Sequence, residues 1–168
     1  MKWIFLLPFF LLGMFTFSCQ PPAQEENTWV EDVDKEATTM VFDSVLANQL
    51  GADDYGMKTY VMAFLKTGPN RSEDSTTAAE LQQGHMANIR RLAEEGNLVL
   101  AGPFIDGNET FRGIYIFNTG SVEEAQAWTA SDPAIQAGSL VMELHPWYGS
   151  ASLQQVNEMG KKITRTSF

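Results

Sequence analysis

Apolar and polar positions change period several times along the chain, and each change marks an element. Residues 57–68, "MKTYVMAFLKTG", alternate and are rich in β-branched and aromatic side chains, which predicts a strand. "PNRSEDSTT" is a loop of turn formers, and Ser75 to Thr77 offer N-caps for a helix. The stretch "AAELQQGHMANIRRLAEEG", Ala78 to Gly96, repeats its apolar residues at helical spacing and closes on a glycine suited to a helix end. "NLVLAGPFI" predicts a second strand, "DGNET" a turn and "FRGIYIFNT" a third strand. Ser121-Val-Glu-Glu124 has capping-box spacing before the helix "VEEAQAWTA", and Asp132-Pro133 opens a shorter helix, "PAIQAG". "SLVMELHPWY" predicts a fourth strand, and residues 149–168 form a polar tail that can begin as helix.

The order β-α-β-β-α-β is the ferredoxin-like order, so the expected fold is α+β: a four-stranded antiparallel sheet with both helices on one face. The strands carry apolar residues on both faces. The face away from the helices therefore needs a cover, and a second copy of the chain is the simplest one. A domain this small buries limited surface alone, which also favours a homodimer.

Upstream of the domain, Lys2 is followed by the apolar run "WIFLLPFFLLGMFTF", a layout that predicts a secretory signal over residues 1–18 and is short for a membrane span. Cys19 is the only cysteine, so no internal disulfide can form. A lone Cys at a signal's end, before "QPPAQEEN", matches the bacterial lipoprotein arrangement, in which the thiol takes a diacylglycerol. Phe17 departs from the small residues usual there, and an ordinary cleaved signal with a spare thiol is the competing reading. Residues 19–56 then read as an acidic tether with a short docking helix through Val41, Val45 and Leu46. The expected organisation is signal 1–18, tether 19–56, domain 57–148 and tail 149–168, exported and anchored by lipid on the periplasmic or cell-surface side.

Charge narrows the partners. The formal charge is −10, and losing residues 1–18 removes Lys2 and no acid, which leaves −11. Such a chain is repelled by phosphate backbones and anionic lipid, so nucleic acid is excluded as an expected partner. Acyl chains, not surface charge, would hold it at a membrane.

One residue interrupts the apolar stripe of the long helix. At 100° steps from Leu81, Leu92 lies at about 20°, His85 at about 40°, Ala78 at about 60° and Ile89 at about 80°. The charged Arg90, Glu94, Glu80 and Arg91 take the other side, between about 180° and 280°. His85 thus faces the sheet. An inward His is ordinarily a core residue with satisfied ring nitrogens. Two nearby features suggest more. In "AGPFIDG", Gly102 permits close approach and Pro103 withholds a ladder donor, which opens a gap at a strand end. Asp132 stands at a helix start, where capping holds a carboxylate firmly; such a residue is ordinarily a cap, and capping and function can coexist.

These residues resemble a known family. The blocks "GHMANIRRLAEEGNLVLAGPF", "GIYIFNTGSVEEAQAWTASDPAIQAG" and "LVMELHPW" are similar in kind and order to the YCII-related (YciI-like) domain, as found in a secreted, lipoprotein-type member. The resemblance implies a dimeric ferredoxin-like fold with an active site built around a His and an Asp, which here fall on His85 and Asp132. It also implies acid–base chemistry on a small organic molecule without a metal: the few assigned members include a lactone dehalogenase, and relatives of the same fold isomerise muconolactones.

Two functional readings are open. In the first, the protein is a cofactor-independent enzyme in which His85 is general base or acid, Asp132 orients it, and Gly102, Pro103 and Phe104 wall the pocket. In the second, it is a non-catalytic binding or structural module, and the pair only fixes helix positions. Other candidates are weaker. His145 reads as surface or interface, and two histidines with no Cys beside them make a poor zinc site, so no metal is expected. The glycines of "AGPFIDGNETFRG" lack phosphate-loop spacing.

Overall fold

The computed structural model describes residues 41–107 and 110–166. The expected signal, most of the tether and Cys19 lie outside them. In chain order the elements are α1 (Ser44–Leu50), β1 (Met57–Thr67), α2 (Ser75–Glu94), β2 (Leu98–Pro103), β3 (Phe111–Phe117), α3 (Val122–Thr129), α4 (Pro133–Gln136), β4 (Leu140–Ser150), a 3-10 turn (Ala151–Gln155) and α5 (Val156–Ile163). The strands form one sheet in the order β2-β3-β1-β4, and each neighbouring pair is antiparallel. Each helical crossover skips one strand, which is the ferredoxin-like arrangement.

Alternation along β1 sorts the side chains between two layers. Val61, Ala63 and Leu65 join Leu92, Leu98, Tyr115, Phe117 and Ala125 in the core beneath the helices. Fully burying side chains such as Leu92 or Phe117 stabilises by about 1.5–3 kcal/mol each. Tyr60, Val99 and Ile116 form a second cluster on the far face, with Met62, Leu100, Trp147 and Leu153 packed against it.

Leu153 belongs to the tail, and this changes the picture of the far face. The chain after β4 folds back onto that face and packs against Tyr60, Val99 and Ile116. The Tyr60 hydroxyl donates to the carbonyls of Ser150 (3.0 Å) and Ala151 (3.2 Å), and the Asn157 amide donates to the Leu98 carbonyl at 2.8 Å. Polar composition hid this role, because the tail contributes only a few apolar side chains and does the rest by hydrogen bonding.

Caps differ in detail from expectation. Asp74, not Ser75 to Thr77, caps α2, its carboxylate accepting from the Thr77 N–H at 2.7 Å. At α3 the Ser121 hydroxyl accepts from the Glu124 N–H (3.1 Å), but the return half of the box is relayed. Thr119 Oγ1 donates to the Glu124 carboxylate at 2.6 Å and accepts from the Ser121 N–H at 3.0 Å. Gly96, at φ 76°, ends α2 in the left-handed region while the Asn97 N–H donates to the Leu92 carbonyl at 2.9 Å. The short helix expected around Val45 is present as α1, capped by Asp43. Its Val45 is exposed, as are Val41 and Phe42 just before it, and the Gln154 amide holds the helix by the Leu50 carbonyl. Among the described residues, no helix is long and apolar enough to cross a membrane.

Candidate active site

His85 and Asp132 come together because two helices touch at adjacent positions. Gly84 of α2 packs on Pro133, the first residue of α4: a Cβ on Gly84 would stand 2.9 Å from Pro133 Cγ. Ordinary van der Waals contact begins near 3.4 Å, so only glycine admits this approach. The next residue on α2 is His85 and the preceding residue at α4 is Asp132. Their side chains meet with His85 Nδ1 2.7 Å from Asp132 Oδ2.

Asp132 divides its carboxylate between two tasks. Oδ1 accepts from the Ala134 N–H at 2.8 Å, which caps α4, while Oδ2 faces the imidazole. Asn88 also reaches Oδ2, at 3.5 Å. Its own carbonyl oxygen accepts from the Arg91 guanidinium and the Ser131 hydroxyl, both at 2.9 Å, which turns the amide N–H₂ toward Asp132. Capping and orientation of the imidazole thus coexist in one side chain.

The far nitrogen of His85 faces Tyr115 of β3, whose hydroxyl is 3.3 Å from Nε2. The two rings lie nearly parallel, 19° apart in plane, with centroids at 6.2 Å. The result is a chain running Asp132, His85, Tyr115 beneath the helices. Asp132 is 0% exposed and His85 only 7%. Among the described residues no buried side-chain nitrogen or oxygen lacks a partner.

Electrostatics assign the protons. Burial by itself pushes the Asp132 carboxyl up, but the His85 hydrogen bond and charge, the Ala134 N–H and the Asn88 amide together outweigh it and hold the group below its ordinary value. Asp132 is therefore an anion at neutral pH, and its partner nitrogen Nδ1 carries the hydrogen. Burial, and then the Asp132 charge, push the Tyr115 phenol far up, so it stays protonated and donates. With its hydrogen on Nδ1, the ring would present an Nε2 lone pair toward the phenol, and the carboxylate behind it could balance a second proton.

The other expected site residues lie at and just after the end of β2. Gly102 pairs with Ile114 and Pro103 with Gly113. Phe104 turns to the far face, where it lines a cavity with Phe64, Asp106 and Phe111. Phe104 therefore does not stand beside the imidazole, since side chains along a strand alternate between the two faces. His145 is exposed and paired with Glu143 at 2.8 Å. No group of three or more His, Cys, Asp or Glu among the described residues is placed to hold a metal ion. Two site residues were missed from the sequence. Asn88 falls at about 340° on the helical wheel, beside Leu81, a polar residue inside the apolar arc. Tyr115 shares the inward parity of Phe117 in β3.

Fold and site together define a small α+β domain with a buried carboxylate–imidazole–phenol chain between its sheet and its helices. The chain belongs to the YCII-related domain family, which it matches over residues 59–148. Curated relatives include the protein YciI of Escherichia coli O6:H1 (strain CFT073), 30% identical over an 84-residue alignment that covers 46% of this chain and 86% of that protein. The uncharacterised protein YjpA of Bacillus subtilis (strain 168) is 30% identical over 91 residues, 54% of this chain and 95% of its own length. Among solved structures, a 5-chloro-2-hydroxyhydroquinone dehydrochlorinase from Burkholderia phenoliruptrix AC1100, in complex with 2,5-dihydroxybenzoquinone, is 15% identical with a TM-score of 0.40, covering 52% of this chain and 92% of that one.

Proposed function

We propose that this protein is a small-molecule acid–base enzyme in which His85 moves a proton through Nε2, Asp132 orients and charge-balances the ring, and Tyr115 holds Nε2 until substrate replaces it. The reaction class is proton transfer or elimination beside a carbonyl, needing no resident cofactor. The observation that carries this reading is the 2.7 Å contact to a fully buried carboxylate that a helix start also fixes. Such a partner favours the tautomer with its hydrogen on Nδ1 and leaves Nε2 as the nitrogen that exchanges a proton with substrate. At 3.3 Å the phenol contact is long for a hydrogen bond to nitrogen, so exchanging it for a substrate group costs little. We further propose that the domain works outside the cytoplasm, held at a membrane by an acylated Cys19.

The second reading is a structural module, favoured by His85 having both nitrogens engaged and little exposed surface. His85→Gln separates the two. The amide still donates to Asp132 and keeps the helices in place, yet it cannot carry a proton. Assayed on a panel of lactones and halogenated hydroxy acids, the enzyme reading expects a rate lower by about 10²–10⁴-fold with the melting temperature nearly kept. Equal turnover in the variant refutes the role of His85.

A further inference from the structure

At one end, Arg91 is an ordinary surface residue of α2. Its side chain is 47% exposed, and Nη1 makes an i,i+4 ion pair with Glu95 at 2.8 Å. Exposed pairs of this kind contribute little by themselves. The other end of the guanidinium turns inward. Nη2 donates to the carbonyl oxygen of Asn88 and to the Ser131 hydroxyl, both at 2.9 Å. Asn88 is buried, and its amide nitrogen stands 3.5 Å from Asp132 Oδ2, the oxygen that also faces His85. A continuous run of contacts thus leads from Glu95 at the surface, through Arg91 and Asn88, to the buried carboxylate.

We infer that Arg91 is a positioning residue for the His85–Asp132 pair, on which it acts by fixing the orientation of Asn88. The inference deepens the acid–base reading above and rests on it for any effect on rate. A primary amide presents donors on one side and an acceptor on the other. Asn88 lies between a guanidinium that only donates and a carboxylate that only accepts, so one orientation alone satisfies both neighbours. Turned over, the amide would set acceptor against acceptor at Asp132 and donor against donor at Arg91, in an interior where such mismatches cost most. Ser131 is a weaker guide. Its one hydroxyl hydrogen is shared between the Trp128 carbonyl at 2.6 Å and Asn88 at 2.9 Å, and the shorter contact goes to Trp128. Arg91 is therefore the donor on which the Asn88 orientation depends. At 3.5 Å the amide contact to Asp132 is long, and it acts on the carboxylate chiefly as an oriented dipole. The other groups facing Asp132 are His85 of α2, the Ala134 N–H of α4 and the phenol of Tyr115 on β3, none of which Arg91 touches. Removing Arg91 thus isolates one contribution to the pair.

The test follows the Asp132 side-chain carboxyl by ¹³C NMR in the full chain as pH is lowered. Arg91→Met, at a half-exposed position, keeps an apolar stem on the helix and releases Asn88. The carboxyl should then titrate at higher pH than in the unaltered protein, because it has lost an oriented donor. Arg91→Lys should recover part of the change, since an ammonium can still donate to Asn88 but lacks the planar fork. Glu95→Gln breaks the surface ion pair alone and should leave the titration where it was. With Asn88→Leu already in place, Arg91→Met should have no further effect. Where the lactone and hydroxy-acid panel yields turnover, Arg91→Met should lower kcat at least about twofold with KM kept, the lower end for residues in one hydrogen-bond network. An unmoved carboxyl titration in Arg91→Met, or an equal shift in Glu95→Gln, would overturn the inference and leave Arg91 a surface ion pair. The titration needs no substrate, so its failure is distinct from failure of the acid–base reading, which His85→Gln decides.

Discussion

Gly84 is the position on which the His85–Asp132 contact depends, and Gly84→Ala tests that dependence. The added methyl would sit 2.9 Å from Pro133 Cγ and 3.3 Å from Pro133 Cβ, so the helices must separate by roughly half an ångström to restore ordinary contact. The proline ring cannot swing aside, and α2 is held along its length by Leu92 and Ile89 in the core. Overpacking of this kind costs about 1–3 kcal/mol, against which alanine's better helix propensity returns about 1 kcal/mol. The net is a loss of up to about 2 kcal/mol, and the 2.7 Å Nδ1–Oδ2 contact lengthens. Denaturant unfolding reads the stability, and the ¹⁵N and ring-proton shifts of His85 read the bond. Pro133→Ala removes the atom in the way, so combining it with Gly84→Ala should recover both signals, with a coupling of about 0.5 kcal/mol or more in the double-mutant cycle, on the order seen for residues in contact. Strictly additive stabilities, or His85 shifts unmoved by Gly84→Ala, would refute the claim that this close approach positions the pair.

The same geometry sets further outcomes. Asp132 has its folded pKa lowered, so its stabilising contribution is complete above the unfolded carboxyl range near pH 4 and is lost as pH falls through the lower folded value. Urea midpoints measured from about pH 6 downward should therefore fall on the acid side, and Asp132→Asn should be less stable at that starting pH with a flatter acid limb; an unchanged limb counts against the ionised pair. Tyr115→Phe removes only the hydroxyl facing Nε2 and should cost about 1 kcal/mol in stability. Under the enzyme reading it also shifts the pH–rate profile, which a purely structural tyrosine would not do. Ending the chain at Ser150 uncovers Tyr60, Val99 and Trp147, and should raise dye binding to exposed apolar surface and promote association; a soluble, dye-silent product would show that the tail is no cover. Mass spectrometry of the mature protein should find a diacylglycerol on Cys19, and an unmodified thiol or a cut elsewhere removes the anchor.

Much of the architecture was readable from the chain alone, because local rules decide it. Period-two alternation marks Met57–Thr67, and the helical period marks Ser75–Glu94. Gly96 and the Asp132-Pro133 pair signal their own turns through backbone preference. The order of these pieces selects the ferredoxin-like sheet. Even the inward direction of His85 comes from its neighbours at 100° steps.

What folding alone decided is contact between segments distant in sequence. His85 and Asp132 are 47 residues apart, and their 2.7 Å contact depends on how closely α2 and α4 pack at Gly84 and Pro133. No local preference encodes that distance. The same is true of Tyr115 on Nε2, of Phe104 turning away from the imidazole, and of a polar tail that docks on the far face through Tyr60 and Asn157. Periodicity states which way a side chain points from its own backbone. Which other side chain it meets is set only when the layers pack.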